Sequence, residues 1–114
     1  MTDPDDASIL DERVRTLLTP EGEVREVRMF GGLSFMLNDA MVVATHHADG
    51  MLVRVDPERA PELLRRPGAG PFEMGAGRTM GPGWIHVAGE VLGSDEELAF
   101  WIGEALAENR RRTG

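Results

Sequence analysis

Two adjacent histidines, His46 and His47, followed by Asp49, are the side chains in this sequence that most readily suggest metal chemistry. Imidazole and carboxylate are ordinary zinc ligands, but a tetrahedral site needs its donors converging on one point. Neighbouring residues of a strand point to opposite faces, so one strand cannot aim both rings at one ion. No further ligand stands nearby at suitable spacing, so these read as surface or turn histidines and no metal site is expected. His86 stands opposite Ile85 and Val87 in the alternation of its segment. A histidine without an orienting partner is weak ground for acid–base catalysis. The run Gly75-Ala76-Gly77-Arg78-Thr79-Met80-Gly81 is glycine-rich, as phosphate loops are. It lacks the Gly-Lys-Ser/Thr ending and the strand-before, helix-after context that such a loop needs. A turn or bulge using positive φ is expected there instead, with Arg78 as the candidate anion contact. Ser8, Ser34 and Ser94 complete the nucleophile inventory, and none sits in a Gly-x-Ser-x-Gly elbow. No catalytic residue is assigned, and no cofactor is expected.

The totals narrow the classes further. A chain of 114 residues is the length of one domain, with a single modest core. There is no cysteine, which rules out thiolate zinc sites. All 12 basic residues are arginine, so there is no lysine nucleophile or Schiff base. Against 20 acidic residues the net charge is −8. Proteins that grip nucleic acid through its phosphates need a concentrated basic surface. Here the only basic cluster is Arg110-Arg111-Arg112, which fits a helix end where cations meet the dipole. Direct nucleic-acid binding is not expected. Nor is a leader, since Met1 to Asp6 is acidic and polar and no charged start is followed by an apolar run, or a membrane span, since no run approaches about 20 apolar residues. A cytoplasmic location is expected.

Several elements must position these residues. Leu10, Val14, Leu17 and Leu18 form one apolar face, predicting a helix to about Leu18 capped by Asp5 or Asp6 and stopped at Thr19-Pro20-Glu21-Gly22. Glu23–Phe30, Leu33–Leu37, Ala40–His46 and Met51–Val55 alternate as strands do, with turns at Asn38-Asp39 and Asp49-Gly50. The last three read as an antiparallel meander. Pro57–Arg65 predicts a short helix capped by Asp56, and short strands are expected around 71–75, 78–80 and 84–88. Ser94-Asp95-Glu96-Glu97 matches a capping box. The helix behind it buries Leu98, Trp101, Ile102, Ala105 and Leu106, with Glu96, Glu97, Glu104 and Glu108 outside. The expected order is helix, three strands, helix, two or three strands, helix. That is α+β, an antiparallel five- to six-stranded sheet with helices on one face. Its other face is expected to be partly exposed or covered by a partner.

Arg28-Met29-Phe30-Gly31-Gly32-Leu33-Ser34-Phe35 resembles the MFGG-x-x-F signature of the TfoX N-terminal domain family, named for the TfoX/Sxy competence regulators. Met41-Val42-Val43-Ala44, Met51–Asp56, Pro71-Phe72-Glu73-Met74 and Leu98–Ala107 resemble later family segments in the same order. The match spans about residues 10–110. This chain has no tyrosine where the family often has several, and Ile85–Gly89 replaces its Y-x-x-V-P segment. Full-length regulators carry a C-terminal domain, so a stand-alone N-terminal domain over 1–114 is expected. The resemblance implies a two-layer sandwich similar to type III secretion chaperones and YjbR-like proteins, and no established catalytic residue. Met29, Phe30, Gly31, Gly32 and Phe35 are then the motif and candidate binding residues, with the glycine pair serving as a hinge between strands.

The expected function is a non-enzymatic regulatory or adaptor domain with a protein partner. The open sheet face would be the contact surface, also usable for a homodimer. The competing expectation is a small-molecule binder or enzyme with a site between sheet and helices, near Met29–Gly32 and the Gly75–Gly81 loop.

Overall fold

Leu10, Val14 and Leu18 recur every four residues, so a helix carrying them has one side to bury. A computed structural model, which describes residues 4–29, 32–46, 50–71 and 83–113, places them on α1, Pro4–Leu18. Pro4 is already helical, so the helix opens ahead of Asp5 and Asp6, and neither is its cap. Proline suits that place because the first-turn N–H would have had no partner. A 3-10 turn at Thr19–Glu21 and Gly22, at φ 151°, end the helix.

Four strands follow: β1 Val24–Met29, β2 Gly32–Leu37, β3 Ala40–His46 and β4 Gly50–Arg54. The expected three-strand block is thus a four-strand meander, because Val24–Met29 pairs with β2 along its whole length. Asn38 and Asp39 connect β2 to β3 at φ 54° and 65°. Two positive-φ residues match the twist of the flanking strands, and the short polar side chains tolerate that conformation. Gly50 opens β4 at φ 128°, where a Cβ would stand 2.1 Å from the Val87 carbonyl oxygen. Only glycine lets the two backbones come that close.

The helix expected over 57–65 shortens to α2, Ala60–Leu63. Asp56 does cap, but it caps a turn: its Oδ1 accepts the Glu58 N–H at 2.9 Å. The helix proper starts one residue before Pro61, where the missing N–H costs nothing. Then come β5 Ala69–Pro71 and β6 Trp84–Ala88. Of the strands expected at 71–75 and 78–80 only Pro71 is described, as the end of β5; the rest, and Arg78 with them, lie outside the described residues. An unforeseen turn of helix, α3 Gly89–Leu92, precedes α4 Asp95–Thr113.

The sheet order is β1-β2-β3-β4-β6-β5, antiparallel throughout. The fold is α+β, as expected. α1 packs on β2 and β3, α4 on β3 and β4, and α3 on β4 and β6, with α1 and α4 side by side. Between sheet and helices lie Phe35, Val43, Met51, Val53, Ile85, Val87, Leu98, Trp101 and Ile102, all buried. The opposite face is less open than expected. Ser34, Ala44 and Leu52 form a cross-strand row there and are buried, although outside the helix-side cluster. Arg54 stacks over Trp84 at 4.9 Å, next in line to Leu52 and His86. No described helix is long and apolar enough to cross a membrane.

Candidate functional site

Met29 ends β1 and Gly32 opens β2, and the two residues pair. Phe30 and Gly31 lie outside the described residues. Phe35 belongs elsewhere: it faces Glu26 on one side and Val43 on the other, fully buried beneath the helices. The motif therefore divides between a hairpin end and a core anchor. His46 is the last residue of β3, and its side chain, His47 and Asp49 are outside the described residues.

Beside the hairpin, α1 and the sheet leave a polar recess of about 400 Å³, lined by Asp11, Glu12, Arg15, Glu26, Arg28 and Leu33. Arg15 is the fixed element. Its Nη2 donates to Glu26 Oε1 at 2.7 Å and its Nε donates to Oε2, a two-bonded fork of the kind arginine makes best. That hydrogen bonding holds the Glu26 carboxyl below the usual carboxylate range, and desolvation opposes it only in part. Behind this pair the Thr45 hydroxyl donates to Asp11 Oδ1 at 2.5 Å, linking β3 to α1. Arg28 lines the recess with no ion pair among the described residues.

A second depression, about 460 Å³ and largely apolar, runs between α1 and α4. Ile9, Leu17, Leu98 and Ala99 supply its apolar lining, and Glu12, Arg13, Thr16 and Asp95 its polar lining. Ile9 is 52% exposed, a large apolar side chain left in water. Arg13 reaches across to Asp95 at 2.9 Å. Asp95 remains 97% exposed, so the pairing hardly masks it.

Sequence reasoning missed the polar groups under α4. Ser94 does cap, accepting the Glu97 N–H at 3.3 Å, but Glu97 does not reach back. The Ser94 N–H goes to the Val91 carbonyl instead, and Glu97 Oε1 takes Arg66 Nη2 at 3.0 Å. The Arg66 guanidinium also lies 3.7 Å above the Phe100 ring. Glu108, expected outside, is buried and holds Arg111 at 2.7 Å and Arg112 at 3.8 Å. Arg110 meets Glu21 at 2.7 Å, so each arginine of the basic cluster has a carboxylate. Asn109 is buried too, and its Nδ2 donates to the Leu37 carbonyl at 2.9 Å. The signal was available: the stripe Leu98, Trp101, Ile102, Ala105, Leu106 continues at the same spacing to Glu108 and Asn109.

Comparison with known proteins agrees with this architecture. A crystal structure of a protein from Pseudomonas syringae, solved by a structural genomics consortium, superposes with a TM-score of 0.61 over 82% of this chain and 93% of that one. At 14% identity this is a likeness of fold. No curated protein matches the sequence. Residues 16–109 match the TfoX N-terminal domain, from within α1 to near the end of α4, and the chain belongs to the TfoX N-terminal domain family.

Proposed function

We propose that this chain is a cytoplasmic regulatory adaptor that acts by binding another protein rather than by turning over a substrate. Membership of the TfoX N-terminal domain family supports a regulatory role. The observation that carries the adaptor reading is the groove between α1 and α4, with Ile9 half-exposed in its lining. Water against such a surface is released when an apolar partner covers it. The polar lining selects the partner's chemistry. Glu12, Arg13 and the 97%-exposed Asp95 leave it net negative on a chain of net charge −8, which favours an amphipathic helix with lysine or arginine beside its apolar face. The sheet's far face is a poorer contact surface, since Ser34, Ala44 and Leu52 at its centre are already buried.

The test is photo-crosslinking in the native cell from a probe at the exposed Ala99. One protein with a basic amphipathic segment should be recovered reproducibly, and Ile9→Glu should abolish its capture while leaving the melting temperature unchanged. Failure to recover any specific protein would count against the adaptor reading.

The recess beside Arg28 supports a second reading, a small-molecule site near the hairpin. A metabolite panel screened by thermal shift tests it, and a panel that moves the midpoint nowhere would sink it. DNA is not the proposed partner: Arg110, Arg111 and Arg112 are each engaged by Glu21 or Glu108, which leaves little free cation for phosphates. Salt-dependent retention on DNA, lost when the three become glutamine, would reverse that view.

A further inference from the structure

β1 is the outermost strand of the sheet, and among the described residues no strand lies along the outer edge of Val24–Met29. The opposite edge, β5, spans three of the described residues, against six for β1. An edge strand presents backbone donors and acceptors to any chain that can align with it. Its side chains decide which chain that is. Glu26 and Arg28 lie on the helix side, opposite Phe35 and Leu33, while Arg25 and Val27 lie on the other. From Glu23 to Met29 two glutamates balance two arginines, so the chain's excess negative charge sits elsewhere.

A second copy aligned antiparallel through a two-fold axis keeps both helix layers on one side of the joined sheet. Facing residues must then come from the same face of each strand. Few registers remain. Centring on Arg25 sets Arg25 against itself, centring on Glu26 sets Glu26 against itself, and centring on Arg28 sets Arg28 against itself. Centring on Val24 sets Glu23 against Arg25, but Val24 is the first residue of β1, so that register leaves most of the strand unpaired. Centring on Val27 sets valine against valine at the axis and Glu26 against Arg28 twice. Arg28, which has no ion pair among the described residues, gains one there. Directly opposed unlike charges stabilise strand pairs and like charges destabilise them.

We propose that this chain self-associates through β1, antiparallel and centred on Val27, joining two sheets into one. The edge is a different surface from the α1–α4 groove, so the two readings stand or fall separately.

Sedimentation equilibrium of the whole chain, in about 0.15 M salt so that the net charges are screened beyond ~8 Å, tests it. Wild type should show a weak monomer–dimer equilibrium. Arg28→Glu should raise the dissociation constant about thirty-fold, since two attractive pairs become repulsive. Glu26→Arg should do the same. Mixing the two variants should restore association to the wild-type level, because every glutamate then faces an arginine. A wild type that stays monomeric at about 1 mM, an Arg28→Glu dimer of unchanged affinity, or a mixture no tighter than its parents would each overturn the proposal. Should Glu26→Arg fail to fold for want of its contact with Arg15, Val27→Glu replaces it. Two carboxylates on the axis should abolish the dimer, and a dimer that survives them refutes the register.

Discussion

The Asn109 side-chain amide donates to the Leu37 carbonyl across 2.9 Å, tying the last turns of α4 to the end of β2. Asn38 in the adjoining turn points its own amide at Asn109 Oδ1, 3.4 Å away. One buried side chain therefore holds a strand end and a turn that lie far from it in sequence. Asn109→Ala leaves the Leu37 carbonyl without this donor and should cost about 1–3 kcal/mol. Urea denaturation checks this, and a loss below about 0.5 kcal/mol would show that solvent replaces the bond.

Acid should weaken the Arg15–Glu26 fork. Glu26 titrates lower in the folded chain than in the unfolded one, so its contribution is fully present above the unfolded carboxylate value. It is lost as pH falls through the depressed folded value. The melting temperature of wild type should thus drop below about pH 4.5 more steeply than that of Glu26→Gln. The two curves should converge at the acid end. Parallel curves would show that the pair adds nothing to stability.

Gly50 and Gly103 should respond oppositely to alanine. At Gly50 the new methyl would press on the Val87 carbonyl oxygen and meet the Gly89 nitrogen at 2.9 Å. With φ at 128° as well, a loss of about 3 kcal/mol or more is expected. At Gly103, inside α4, nothing lies within 4 Å of the added carbon. Alanine there should stabilise by about 0.5–1 kcal/mol, the ordinary helix-propensity difference. Thermal melts of both variants decide the matter.

Ser94→Ala should cost about 1 kcal/mol, the usual value of a lost helix cap. Glu97→Ala should also destabilise, but through Arg66 rather than the cap. A double-mutant cycle of Arg66→Ala with Glu97→Ala should show coupling. A cycle of Ser94→Ala with Glu97→Ala should be additive.

What the sequence disclosed followed periodicity. The α1 stripe, the alternation from Val24 to Val55 and the stripe of α4 each have one buried side, and each element formed. Local punctuation is less decisive. Pro57 and Pro61 both suit a helix start, and only packing of Ala60 and Leu63 into the core chooses the later one. Glu97 satisfies the capping-box pattern, yet Arg66 arrives through tertiary structure and takes its carboxylate. The α1–α4 groove was invisible because it belongs to two helices far apart in the chain. Sequence spacing reports which side of a helix is apolar, and it is silent on how closely two such sides meet.

The sheet order has a kinetic consequence. β1 to β4 are joined by short connections and can zip together hairpin by hairpin as the chain emerges. β5 comes next in the chain but has no place on β4, because β6 occupies the position between them. Until residues 84–88 arrive, β4 waits with one edge unsatisfied and β5 with no partner at all. Transition-state structure should accordingly concentrate in β2, β3 and β4. The β4 edge would be the vulnerable surface of a nascent or truncated chain, and the part a chaperone has most reason to cover.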